Sequence, residues 1–422
     1  MSQPGERSPT LVADDLFRRE GARLVASLAA HLGTHRLQLA EDVVQEALVR
    51  ALQTWPYRGI PENPAAWLTQ AAKNLALDAL RREKTWQRKE AQITAEQERW
   101  LTRDEEPANE HDLSDDTLRM LFVCFHPQLS VEAQLALALR TVCGLSPAEI
   151  GAAFLISEAA IAKRLVRTRQ LIRDLRLPFA VPPAGELPQR LDGVLGVLYL
   201  LFNEGYKASS GDRLVREELC HEAIRLTRLL SAHSVTSRPA TQALLALMCL
   251  NAARLRARLS ATGEIVRLQH QDRSQWNADL IQEGILALGA ASTGDVISAY
   301  HLEAGIAACH CLAESDATTD WSRILSLYDQ LLLLKPTPIV AMNRSVALAR
   351  VRSPHVGLEA LESIPNRHSL EAHHLYHAIR ASFMSKLGQP AEARAAYLRA
   401  AELAPCDAER EFLQAQSREQ DA

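Results

Sequence analysis

Apolar residues recur every three to four positions through most of this chain, the rhythm of helices that bury one face. The segment Leu39–Trp55 shows it early. Val43, Ala47, Val49 and Leu52 fall near helical spacing, and Glu41, Asp42, Gln45 and Glu46 occupy the other face. Pro56, Pro61 and Pro64 then interrupt the pattern. A further helix is predicted from Pro64 to Arg82, with Asn63 as the cap before a first-turn proline. Residues 11–85 therefore read as three or four amphipathic helices. Leu145–Arg173 reads as two short helices joined by a tight turn, the second opening at Ser157. Residues 116–176 form a second helical domain that ends in this pair, and LPFAVPPAGE at 177–186 is a proline-rich boundary. The remainder, 187–415, is Ala- and Leu-rich and helical. The expected fold class is all-α.

The end of the chain carries a repeat. Gly388, Ala393, Tyr397, Ala400 and Pro405 match the small, small, aromatic, small, proline spacing of a tetratricopeptide (TPR) unit. Tyr328 and Pro336 share the offset of Tyr397 and Pro405, and the two tyrosines lie about two TPR periods apart. A TPR-like solenoid is expected; an ordinary helical bundle with chance spacing is the alternative.

Charge changes the picture more than composition does. The 422 residues are 47% hydrophobic and only 5% aromatic, as suits a helical protein of several domains. The net charge of −4 argues against a nucleic-acid binder only as an average. Residues 63–89 hold six bases against two acids, and residues 157–176 again hold six against two. Between them, residues 96–116 hold nine acids and two bases, so residues 86–115 read as an acidic flexible linker. Two basic patches separated by an acidic connection suit two DNA contacts. The seven cysteines are scattered and odd in number, which favours a reducing cytoplasm over a disulfide framework. The first ten residues lack an apolar core, so no signal peptide is expected. The longest apolar run, Val194–Phe202, is too short for a membrane span.

The pair of short helices has the makings of a DNA-reading helix-turn-helix. Ile150, Phe154, Ile156, Ile161 and Leu165 supply a small core, Gly151 permits close approach, and the Ser157 hydroxyl caps the second helix. Its first turns, with Glu158, Ala159, Ala160, Lys163 and Arg164, would face base edges in the major groove. Arg167 and Arg169, further along, would meet phosphates. The bland alternative is a solvated basic surface helix. Leu155 stands where the turn usually has Gly, so a non-standard turn is expected. On the earlier helix, Trp67, Lys73, Asn74, Asp78, Arg81 and Arg82 combine aromatic, amide and basic groups, as single-stranded DNA requires. A core tryptophan is the competing reading of Trp67.

At this point the chain resembles a bacterial extracytoplasmic-function (ECF) sigma factor of the group with a C-terminal TPR extension. AEDVVQEALVRALQTWP at 40–56 and NPAAWLTQAAKNLALDALRRE at 63–83 carry the likeness of the first domain. DDTLRMLFVCFHPQLS at 115–130, with the helix-turn-helix, carries that of the second. LYLLFNEGYKASSG at 198–211, AIRLTRLL at 223–230, QDRSQW at 271–276 and TDW at 319–321 resemble the group's extension. The resemblance implies that Asp42, Gln45 and Glu46 dock on the beta-prime coiled coil of core RNA polymerase, an enzyme whose beta subunit is a second expected partner. It implies that Lys73, Asn74, Asp78, Arg81 and Arg82 recognise and help melt the minus-ten promoter element, and that the helix-turn-helix reads the minus-thirty-five element. Melting of that kind is driven by capture of an extruded base. The chain departs from the group at Phe125, often Cys there, and at Ala162, often basic. Asn251-Ala252 and Ser298-Ala299 replace His-Asp and Gly-Pro pairs.

A catalytic centre is not expected, since no phosphate-binding glycine loop, GxSxG or HExxH is present. Cys309-His310-Cys311 invites a metal, but neighbouring positions on a helix point apart, so neither metal nor other cofactor is expected. His373, His374 and His377 share part of a helical face with no carboxylate partner in view. Asn203-Glu204-Gly205-Tyr206 follows a strongly apolar helix that Gly205 could end. It reads either as a contact to the sigma domains or a ligand, or as a buried turn network. The expected function is promoter recognition and transcription initiation, with an extension that answers to an unidentified partner or ligand. A stand-alone, ligand-sensing helix-turn-helix regulator is the alternative.

Overall fold

The computed structural model describes residues 9–87, 115–154, 156–183, 185–207, 215–260, 264–365 and 367–421. Among them every regular element is a helix, and an isolated bridge between Leu259 and Ile265 is the nearest approach to a strand. The fold is all-α. The expected linker at 86–115 and the turn residue Leu155 lie almost wholly or wholly outside the described residues. The helices divide into two compact units, residues 1–197 with 233–236 and residues 198–232 with 237–422.

The first unit is built from α1 (Pro9–Leu32), α2 (Leu37–Arg58), α3 (Pro64–Gln87), α4 (Asp116–Cys124), α5 (Val131–Thr141), α6 (Pro147–Phe154), α7 (Glu158–Leu175) and the first half of α8 (Leu187–Tyr206). Its helix starts are chemically marked. Asn63 Oδ1 accepts the Ala66 amide at 3.0 Å, and Asp115 Oδ1 accepts those of Thr117 and Leu118. The hydroxyls of Ser130 and Ser157 accept from Ala133 and Ala160. Gly33 and Gly59, both at positive φ, make the breaks on either side of α2 that other residues would resist. Pro56 does not end α2. It sits in the last turn, where a missing N–H costs one hydrogen bond, and the helix continues to Arg58.

The buried stripe of α2 is Ala40, Val43, Val44, Ala47, Ala51 and Trp55, set against Leu24, Leu28 and Leu32 of α1 and Leu68, Leu75 and Leu80 of α3. Two expectations fail here. Val49 is 44% exposed, and Glu41 is buried on the face that was read as polar. Glu41 is buried because Arg169 and Thr141 come onto it from other helices, whereas Val49 lies on the side of α2 opposite the buried stripe. Phe125 fills a matched hollow, since a Cβ on Gly193 of α8 would stand 2.4 Å from its ring.

The second unit continues with α9 (Glu217–Ala232), α10 (Pro239–Ala252), α11 (Ala278–Ala291), α12 (Ala299–Leu312), α13 (Trp321–Leu334), α14 (Pro338–Val351), α15 (Pro354–Glu362), α16 (His368–Glu371), α17 (His374–Lys386), α18 (Pro390–Glu402) and α19 (Asp407–Arg418). Most long helices pack on their chain neighbours, α12 packs most on α10, and the core is a series of local clusters. Ala393, Tyr397 and Ala400 are buried between α17 and α19, and Gly388 makes the preceding turn at φ 74°. Tyr328 holds the same eighth position in α13 that Tyr397 holds in α18.

Candidate nucleic-acid interface

The candidate DNA-facing residues lie on α3 and α7 of the first unit. In α3, Trp67, Asn74, Asp78 and Arg81 follow one stripe of the helix, flanked by Lys73 and Arg82. Asn74, Asp78, Arg81 and Arg82 are exposed, and Lys73 is half-buried. Asn74 accepts a hydrogen bond from Gln70 at 3.0 Å, and Arg81 meets Asp78 at 3.4 Å. Trp67 is half-buried and packs edge-on against the buried Trp55, with ring centroids 5.6 Å apart. It thus anchors α3 on α2 and still presents part of its surface. The packing on Trp55 meets the core reading of Trp67 in part, and the rest of the ring stays exposed.

Helices α6 and α7 meet at Gly151. A Cβ there would lie 2.6 Å from the Ile156 carbonyl oxygen, so the position accepts only glycine without a shift of backbone. Gly151 O in turn accepts the Ile156 amide at 2.9 Å and closes the turn. Ile150, Ile161 and Leu165 are buried beneath it, whereas the side chain of Phe154 is outside the described set. On the outer side of α7, Glu158, Ala159, Ala160, Lys163 and Arg167 are exposed and Arg164 is half-buried. This leaves Glu158 and two alanines at the leading end and cations behind them, a shape that a groove admits.

Arg169 is placed differently from the expectation. Its guanidinium turns inward and meets Glu41 of α2 at 2.5 Å, with both side chains nearly buried. It is not part of the exposed cationic row. Thr141 of α5 donates to the same carboxylate at 3.4 Å. Burial pushes the Glu41 carboxyl up, and the charges of Arg169 and Arg140 oppose this. The Thr34 hydroxyl also donates to the Leu177 carbonyl oxygen, so α7 is fastened to the first helices at both Arg169 and its far end. The sequence carried no local sign of this network, because its members come from separate helices.

Asp42, Gln45 and Glu46 form an exposed patch on α2. Gln38 donates to Asp42 at 2.7 Å, and Arg50 donates to Glu46 at 3.2 Å.

In the second unit, the Asn203–Tyr206 cluster is a packing network. Gly205 does not end α8. A Cβ on it would lie 2.7 Å from the Cys220 amide nitrogen and 2.8 Å from the Arg216 carbonyl oxygen. Glu204 meets Arg216 at 3.5 Å, and Tyr206 lies 3.9 Å under the Arg258 guanidinium. His374 does have a carboxylate partner, supplied from α19: Glu409 lies 3.3 Å from its Nε2, and Lys207 Nζ lies 2.8 Å from the same carboxylate. Cys311 donates to the Leu250 carbonyl oxygen, and His310 packs edge-on against Trp321. Among the described residues no three His, Cys, Asp or Glu side chains converge as a metal site would need, and no helix is long and apolar enough to cross a membrane.

Comparison with known proteins bears on both units. Residues 17–85 match Sigma-70 region 2, which spans α1 to α3, and residues 190–292 match a family of unknown function, DUF6596. No solved structure matches the chain. Uncharacterized protein R00370 of Rhizobium meliloti (strain 1021) is 39% identical over 385 residues, covering 90% of this chain and 89% of its own length. The chain therefore belongs to the same family as the Rhizobium meliloti protein, and it carries the sigma-70 region 2 of a sigma factor at its N-terminal end.

Proposed function

We propose that this protein is an ECF sigma factor that binds core RNA polymerase, recognises two promoter elements and starts transcription without catalysis of its own. Asp42, Gln45 and Glu46 dock on the beta-prime coiled coil. Lys73, Asn74, Asp78, Arg81 and Arg82, beside Trp67, engage the minus-ten element and help open it. The leading turns of α7, from Glu158 to Arg164, read the minus-thirty-five element, and Arg167 meets phosphate. The second unit is a TPR-like regulatory extension that answers to a partner or ligand in the cytoplasm.

One observation carries this reading. A cationic helix-turn-helix stands in the same unit as a sigma-70 region 2 whose own last helix exposes Arg81 and Arg82. A lone regulator needs no polymerase-docking domain. The decisive experiment is transcription from a genomic template library with core RNA polymerase. Specific transcripts are expected only when the full chain is added, and the chain is expected to co-elute with core enzyme. Arg81→Glu and Arg164→Glu are each expected to cut specific initiation at least about tenfold while core binding persists, a loss of about 1.4 kcal/mol or more. Tight duplex binding by the free chain, with no response to core enzyme, would overturn the proposal.

A further inference from the structure

The second unit contains a cleft of about 570 Å³ between the C-terminal half of α8 and helices α10, α12, α13 and α14. This is the size of a site for a small organic molecule. Its floor is apolar, formed by Leu247, Ile306, Leu331 and Val340, which are buried or nearly so. Its polar lining is unevenly charged. Arg254 and Lys335 are cationic, and Glu303 is the carboxylate among the lining residues. Glu303 is already engaged, accepting from the Tyr199 hydroxyl at 2.8 Å and lying 3.6 Å from Lys335 Nζ.

Further cations stand behind the lining. Arg273 stacks on Trp276 and donates to the backbone carbonyls of His310 and Ala313. Arg350 stacks on Trp321, with Asp316 at 3.0 Å. Arg254 is held in place from two sides, donating at 2.8 Å to both Tyr206 Oη and Asn251 Oδ1. These fixed guanidiniums leave a positive field over an apolar surface. His310, on the cleft wall, is held down to a pKa of about 4, first by burial and then by Arg254, Arg273 and Arg350, with Asp316 opposing them. The imidazole is thus neutral at ordinary pH, and the positive charge of the wall comes from the arginines and Lys335.

From this arrangement we infer that the cleft is a binding site for a small organic anion, with one acidic head beside Arg254 and Lys335 and an apolar body on the Leu247–Ile306–Val340 floor. An acidic head supplies the charge that Glu303 alone does not, and an apolar body covers the floor. Neither part alone completes the site. The Lys335 side chain, 43% exposed, is the lining cation open to solvent.

The test uses the full chain and three probes: decanoate below its micelle concentration, 1-decanol as its uncharged counterpart, and inorganic phosphate as a head without a body. Decanoate is expected to raise the unfolding temperature saturably, as a ligand of the native state does. The same amounts of decanol or phosphate are expected to leave it unchanged. Lys335→Glu, at a half-exposed position, is expected to keep the fold and weaken the decanoate response about tenfold in apparent affinity. Lys335→Arg is expected to retain it. Equal responses to decanoate and decanol, a response to phosphate alone, or an unchanged decanoate response in folded Lys335→Glu would each overturn the assignment. The readout is binding, so its outcome is independent of whether the chain supports transcription.

Discussion

In the first unit, Arg81, Arg82, Lys163 and Arg167 face solvent, and the inward-turned Arg169 has a carboxylate against it. In the second unit, Arg254, Arg258 and Arg273 are turned inward over Tyr206 and Trp276, and aromatic faces and carbonyls take much of the place of counter-charges. The same residue type is thus used in two ways. Guanidinium is weakly hydrated and stacks on rings, so it survives burial that lysine would resist. Outward cations over a small-residue helix end suit a long polyanion, which meets them at a surface. Inward cations around a cleft suit a small anion that can enter.

The largest effect is expected where the first unit buries a matched pair. Arg169→Ala leaves Glu41 buried without its partner and is expected to lower the unfolding free energy by about 3–5 kcal/mol in urea titration. The double variant Glu41→Leu/Arg169→Leu is expected to recover most of that loss, because no uncompensated charge remains. A single variant as mild as a surface change would erase the contrast between the two units. Next is Gly205→Ala in the second unit. The added methyl meets backbone rather than a flexible side chain, and a loss of about 2–3 kcal/mol is expected by calorimetry.

A smaller effect is expected from pH. Burial raises the Glu409 carboxyl, but hydrogen bonds from His374 and Lys207 and their charges outweigh it and hold the pKa at about 2. A carboxylate held below its ordinary value of 4.5 adds stability above that value and loses it as pH falls toward about 2. Glu409→Gln is expected to flatten this acid limb in unfolding measured across that range. The smallest effect is expected at the exposed Asp78–Arg81 pair, 3.4 Å apart on α3. Asp78→Ala is expected to change stability by less than about 0.5 kcal/mol. A large stability loss there would mean that the outward face of α3 is structural.

Much of the fold was legible in the chain. Asn63, Ser157 and Gly151 each announced a cap or close approach that the structure contains, and the Tyr328 and Tyr397 spacing marked equivalent helical positions. Local chemistry explains this success, since caps and periodicity need only neighbours in sequence. Misreadings came where a partner arrives from afar. Glu41 looked like surface until Arg169 and Thr141 were brought to it, and His374 looked unpartnered until Glu409 was. Asp42, Gln45, Glu46, Arg81 and Arg82 were legible as exposed polar positions because nothing distant covers them. The cleft left no sequence signal, as its lining comes from helices spread from Tyr199 to Asn343.

The fastening of α7 to α2 has one more consequence. Two promoter elements about 25 base pairs apart are separated by roughly 85 Å of duplex, at about 3.4 Å per step. A compact body of about 200 residues has a radius of gyration of only about 16 Å. Under the proposed function, α3 and α7 reach both elements together only after the Glu41–Arg169 contact has parted. Water rehydrates both charges once that contact opens, and the packing of α1 on α4 has to part with it.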